Sequence, residues 1–70
     1  ALGVPVIHGG AVLVGDFDGY LHWVDRSNGR FVARERLGRA RISAAPIVIG
    51  DRVYVMDEEG KVAAFQAGGG

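Results

Sequence analysis

Apolar residues run along this chain in short stretches, each closed by glycine or by glycine with an acid. Val4 to His8, Ala11 to Gly15, Tyr20 to Asp25 and Phe31 to Arg36 read as strands. The turns between them are Gly9-Gly10, Asp16-Phe17-Asp18-Gly19 and Arg26-Ser27-Asn28-Gly29. Gly-Gly suits the positive φ of a two-residue hairpin. Aspartate caps turn amides with its side chain, and glycine takes the left-handed position. After a connection from Leu37 to Ser43 the pattern restarts. Ala44 to Ile49, Arg52 to Met56 and Lys61 to Gln66 are strands, with turns at Gly50-Asp51 and Asp57 to Gly60. No stretch has the 3.6-residue apolar rhythm of a helix. The Ala11–Gly15 run is apolar enough to expect cover on both faces. The fourth strand divides into Phe31, Ala33, Glu35 on one face and Val32, Arg34, Arg36 on the other. A strand so charged suits a sheet edge, where charge discourages stray pairing.

The second half repeats the first without a gap. Asp57 follows Asp16 by 57 − 16 = 41 residues, and the same offset relates Pro5 to Pro46, Val12 to Val53, Val14 to Val55 and Gly19 to Gly60. Like replaces like at Val6/Ile47, Ile7/Val48, Leu21/Val62 and Val24/Phe65. A period of about 40–45 residues built of short strands is that of a β-propeller blade. The expected fold is all-β and antiparallel: a four-stranded blade over residues 1–38, a three-stranded blade over 39–67, and a flexible glycine tail at 68–70. A blade has two apolar faces that stacking on neighbours buries. The second copy lacks a fourth strand, so its third strand presents unpaired backbone groups.

Composition narrows the function. The 70-residue chain has no cysteine and carries eight basic and eight acidic side chains, so neither a disulfide nor a net field is available. Neutrality gives no electrostatic reason to expect nucleic acid, and no run is long enough for a membrane span. The chain does not begin with Met and shows no signal peptide, so it reads as an excised or processed piece.

Candidate chemistry is sparse. Asp16-x-Asp18-Gly19 has the start of a calcium loop, but Ser27 stands where an EF-hand places glutamate and both flanks are strands. It reads as a capped turn, as does Asp57 to Gly60. Neither His8 nor His22 has a serine or cysteine in an evident nucleophile context, so no triad is supported and His22 reads as a packed or hydrogen-bonded histidine. Trp23 and Tyr20 fall on opposite faces of one strand, with Trp23 a core plug between blades. No glycine opens a helix as a phosphate loop does. Between Arg30 and Arg41 five arginines face Glu35 alone, five minus one, a local net of +4. Arg34, Arg36, Arg39 and Arg41 are the candidate partner surface, suited to an acidic protein surface or anionic headgroups. No aromatic residue interleaves with them in sequence, which argues against a single-strand platform. No metal, cofactor or catalytic residue is expected.

The blade text Val12-Leu13-Val14-Gly15-Asp16 with Asp18-Gly19-Tyr20-Leu21-His22-Trp23-Val24-Asp25 resembles the repeat of pyrroloquinoline-quinone-type propellers. The Gly15–Asp25 string, with Gly29-Arg30-Phe31-Val32-Ala33-Arg34 and Ala45-Pro46-Ile47-Val48, is similar to the last two blades of the BamB family of outer-membrane protein assembly factors, over residues 3–66. The resemblance implies an eight-bladed, non-catalytic periplasmic scaffold, anchored to the outer membrane by a lipidated cysteine that this chain lacks. It implies the periplasmic domains of the barrel-assembly protein as partner. One alternative is a fragment of a quinoprotein dehydrogenase, against which Ala33 stands near the place where those repeats carry tryptophan. Another is an engineered or excised two-blade module with no activity of its own. Two blades leave an apolar face at each end, so the isolated chain is expected to be a homo-oligomer or to fold poorly. Four chains in a ring is the leading geometry, and edge pairing along Lys61 to Gln66 the runner-up.

Overall fold

The computed structural model describes residues 1–68, so Gly69 and Gly70 of the expected tail lie outside the described residues. Seven strands run in order: β1 (Val6–His8), β2 (Ala11–Gly15), β3 (Tyr20–Asp25), β4 (Phe31–Arg36), β5 (Ile47–Ile49), β6 (Arg52–Met56) and β7 (Val62–Gln66). They form two antiparallel meanders, β1-β2-β3-β4 and β5-β6-β7, and no helix occurs among the described residues.

Three strands start later than the sequence suggests. Pairing begins at Val6 and Ile47, just after Pro5 and Pro46, because proline has no N–H to give a ladder. Lys61 likewise stays in the turn: its N–H donates to Asp57 Oδ1 (3.0 Å), and β7 starts at Val62.

Register sorts the side chains into rows. Val6, Leu13, Trp23 and Ala33 stand opposite one another across the first sheet, and Ile7, Val12, Val24 and Phe31 form the next row on its other face. The first row faces the second sheet. There Leu13, Leu21, Trp23, Val53 and Val55 are buried in one cluster, with Phe65 packed against it. Trp23 fills the seam between the sheets: its ring meets Phe65 edge-on at 6.5 Å, and its Nε1–H donates to the Ala67 carbonyl at 3.0 Å. The apolar β2 run is covered as its composition suggests at Leu13 and Val14, while Val12 is half-buried.

The face assigned to Phe31 is corrected by the structure. Trp23 pairs Ala33 but Val24 pairs Phe31, so Val32 is an extra residue in β4. Such a β-bulge shifts the alternation by one. Phe31 therefore shares the face of His22, Val24 and Arg34 rather than that of Ala33 and Glu35, and its ring meets His22 edge-on at 5.2 Å.

The arginine-rich connection is more than a solvated loop. It buries Leu37 and Ile42 in the core between the sheets. Ile42 occupies the space that a side chain at residue 15 would fill: a Cβ on Gly15 would lie 2.2 Å from Ile42 Cγ2.

Candidate functional site

The two acidic turns are built alike, as the repeat requires. Asp16 Oδ1 accepts the N–H groups of Asp18 and Tyr20, both at 2.9 Å, and Asp57 Oδ1 accepts those of Glu59 and Lys61 at 2.9 and 3.0 Å. Gly19 and Gly60 close them with φ of 91° and 84°. Asp18 contributes its backbone, with an exposed side chain. Asp57 is a buried acid satisfied by these amides.

The first turn carries an addition that the second lacks. His22 Nε2–H donates to Asp16 Oδ2 at 2.6 Å, both side chains being largely shielded; a carboxylate can only accept, so Nε2 holds the proton. The repeat places Ala63 where His22 stands. Burial pushes the Asp16 carboxyl up, but the bond from His22 and the amides of Tyr20 and Asp18 outweigh it and hold the group below its ordinary value. His8 lies on the opposite face of the sheet, in the row of Ala11, and does not approach His22.

Around this turn the fold gathers arginine and aromatic side chains that the sequence keeps apart. Pairing of Tyr20 with Arg36 and of His22 with Arg34 lays both guanidinium groups on the Tyr20 ring, 4.5 Å from its centroid for Arg34 and 4.8 Å for Arg36. Arg36 also donates from Nε to the Gly38 carbonyl (2.8 Å), which fixes its plane. Arg41 lies over Phe17 at 5.0 Å. Arg39 is exposed in the connection. The expectation that no aromatic platform accompanies these arginines is thus corrected: Tyr20 and Phe17 supply one through space. Stacking of this kind contributes about 0.5–1 kcal/mol per contact at exposed sites. Beside them lies an open hollow of about 400 Å³, lined by His22, Phe31, Val32, Ala33 and Arg34. Among the described residues no three His, Cys, Asp or Glu side chains gather as metal ligands, and no helix is long and apolar enough to cross a membrane.

No family model matches the chain. Individual relatives do. The outer membrane protein assembly factor BamB of Yersinia pestis is 41% identical over 64 residues, spanning 91% of this chain and 16% of the relative. The chain is BamB-like. BamB of Kangiella koreensis is 49% identical over 51 residues, 73% of this chain and 13% of that protein. The crystal structure of BamB from Moraxella catarrhalis superposes with a TM-score of 0.80 at 29% identity, over 94% of this chain and 19% of the other. The chain thus spans about one sixth of the length of the curated relatives it matches. The BamB-like part includes both sheets and the seam between them, so the two meanders are propeller blades in architecture.

Proposed function

We propose that this chain is a non-catalytic scaffold module that supports the assembly of β-barrel proteins into the bacterial outer membrane, on the periplasmic side. The observation that carries the reading is the BamB likeness, which runs through both sheets and holds in sequence and in backbone alike. In this reading residues 1–38 form one blade and 39–67 the next. The blades serve as a rigid mount, and the working surface is the arginine cluster of Arg34, Arg36, Arg39 and Arg41. All four are exposed, and the stacking on Tyr20 and Phe17 reduces the rotamer freedom that binding must remove. Such a surface suits an acidic face of a protein partner, by resemblance the periplasmic domains of the barrel-assembly protein. The isolated chain is a homo-oligomer, because both sheets turn apolar side chains outward.

The test is a titration of labelled chain with those purified periplasmic domains, followed by fluorescence anisotropy. Saturable binding is expected, weakening as salt rises, since exposed charges are screened beyond about 8–10 Å at physiological ionic strength. The Arg34→Ala/Arg36→Ala variant should bind at least several-fold more weakly. Absence of binding by the wild-type chain overturns the scaffold reading. Binding that ignores both salt and the double variant overturns the arginine surface.

A further inference from the structure

Asp16 is the point at which the arginine cluster is fastened to the fold. Its Oδ1 accepts the Tyr20 N–H at 2.9 Å, and the Tyr20 ring carries Arg34 and Arg36. Its carbonyl accepts the Ile42 N–H at 2.9 Å, which anchors the connection next to Arg41. The following residue, Phe17, lies under the Arg41 guanidinium. Arg36 reaches back to the same turn, from Nη2 to the Asp18 carbonyl at 3.4 Å. The remaining oxygen, Oδ2, accepts from His22. At the counterpart turn Lys61 replaces Tyr20 and Ala63 replaces His22, so Asp57 caps its turn with neither addition. All of these contacts lie within one sheet, its turn and the connection that follows.

The charge of the pair is set by His22. Facing its imidazole are Asp16 from the turn, Tyr20 on its own strand with ring centroids 6.1 Å apart, Arg34 and Phe31 from β4, and Val14 from β2. Arg36 is the next charge, reached through the Tyr20 ring. Among the described residues none of the four arginines is paired with a carboxylate. With His22 neutral, Asp16 is an uncompensated negative charge beside them, which opposes an anionic ligand. His22 Nδ1 makes no hydrogen bond to protein and is not sealed from solvent, so a proton can reach it. That proton makes the pair neutral and raises the local charge by one. The bond from Nε2 persists and becomes charge-assisted, so the turn, the Tyr20 ring and the Ile42 anchor keep their places.

We infer that His22 is a positioning residue of the arginine surface that couples its hold on an acidic protein segment to pH, proton uptake at His22 strengthening the hold. The inference rests on the arginine-surface reading above and adds its regulation. Affinity for an anionic segment rises as pH falls from about 8 to about 5.5, within the interval where histidine side chains change charge. Coupling is reciprocal, so a bound anion in turn favours the protonated imidazole. In stronger acid Asp16 itself is discharged, the bond to His22 loses its acceptor charge and the rise ends.

The test is anisotropy of a short polyglutamate peptide carrying a pH-insensitive dye, titrated with the chain at low ionic strength. Glutamate stays largely ionised over this pH range. Wild type should bind about threefold to tenfold more tightly at the lower pH, the effect of one unit charge several Å from the ligand at a protein surface. His22→Gln keeps an N–H donor for Asp16 but cannot take a proton, so it should match wild type at the higher pH and stay level as pH falls. His8→Gln should keep the full rise, because His8 lies by the Gly9-Gly10 turn, away from Asp16. A wild-type chain that binds with no pH dependence overturns the coupling and leaves the arginine surface standing. A His22→Gln variant that rises as wild type does also overturns it. A wild-type chain that binds no peptide at any pH overturns the arginine surface and the coupling together. A second readout needs no variant: the midpoint of the His22 ring-proton titration should move up when peptide is added while that of His8 stays, and an unmoved His22 midpoint at saturating peptide contradicts the coupling.

Discussion

Alanine at Gly19 should be worse tolerated than alanine at Gly60, although the two glycines close equivalent turns. Their φ values, 91° and 84°, lie in the region that side chains avoid. Placing a Cβ there costs about 1–2 kcal/mol from backbone strain alone. At Gly60 the account ends there, since nothing lies within 4 Å of the added atom. At Gly19 the new Cβ would sit 2.2 Å from the Gly38 carbonyl oxygen and 2.8 Å from its carbon. That backbone cannot swing aside freely, because the Leu37 N–H donates to the Gly19 carbonyl at 2.8 Å and the Leu37 side chain is in the core. Relief means losing that hydrogen bond, about 1 kcal/mol, and loosening a buried leucine. The expected loss at Gly19 is therefore about 3 kcal/mol or more, against about 1–2 kcal/mol at Gly60. Urea unfolding followed by circular dichroism gives both numbers, at one fixed protein concentration because association adds to apparent stability. Equal losses at the two sites, or a larger one at Gly60, would refute the reasoning.

Trp23→Phe should cost about 1–3 kcal/mol, since the Ala67 carbonyl loses its indole donor in a buried seam; urea unfolding measures it, and no loss would mean that the indole is not in the seam. Acid should weaken the fold through Asp16. Its carboxyl lies below the ordinary value of 3.8 when folded, so its contribution is full above that value and disappears as pH falls through the lower, folded one. Melting temperatures between pH 6 and pH 2 should drop at the acid end, and less steeply for Asp16→Asn than for wild type.

The repeat made most of the fold legible. Turn glycines, strand order and the inward place of Trp23 all follow from short apolar runs in a 41-residue frame. What escaped has local causes. Phe31 changed faces because one extra residue, Val32, enters β4, and a count by twos cannot detect an insertion in one strand of a pair. Leu37 and Ile42 looked like loop residues because arginines surround them in sequence, yet Gly15 leaves the hole that Ile42 fills. A trace of this was present: Gly15 is opposed in the repeat by Met56, so the first copy has lost a side chain that something must replace. The arginine–tyrosine stack depends on the β3–β4 register, which composition does not encode. The bond from His22 to Asp16 spans six residues around a turn and joins two groups that each read as ordinary where they stand.

The account stands on two stacked blades with Trp23 as the plug between them. The most direct test is a nuclear Overhauser spectrum centred on its indole N–H. Cross-peaks from Trp23 Hε1 to Ala67, and from the indole ring to the Phe65 ring, are predicted by the 3.0 Å hydrogen bond and the edge-on contact at 6.5 Å. An indole with no cross-peak to either residue, exchanging with water as freely as an exposed one, would contradict the stacked arrangement.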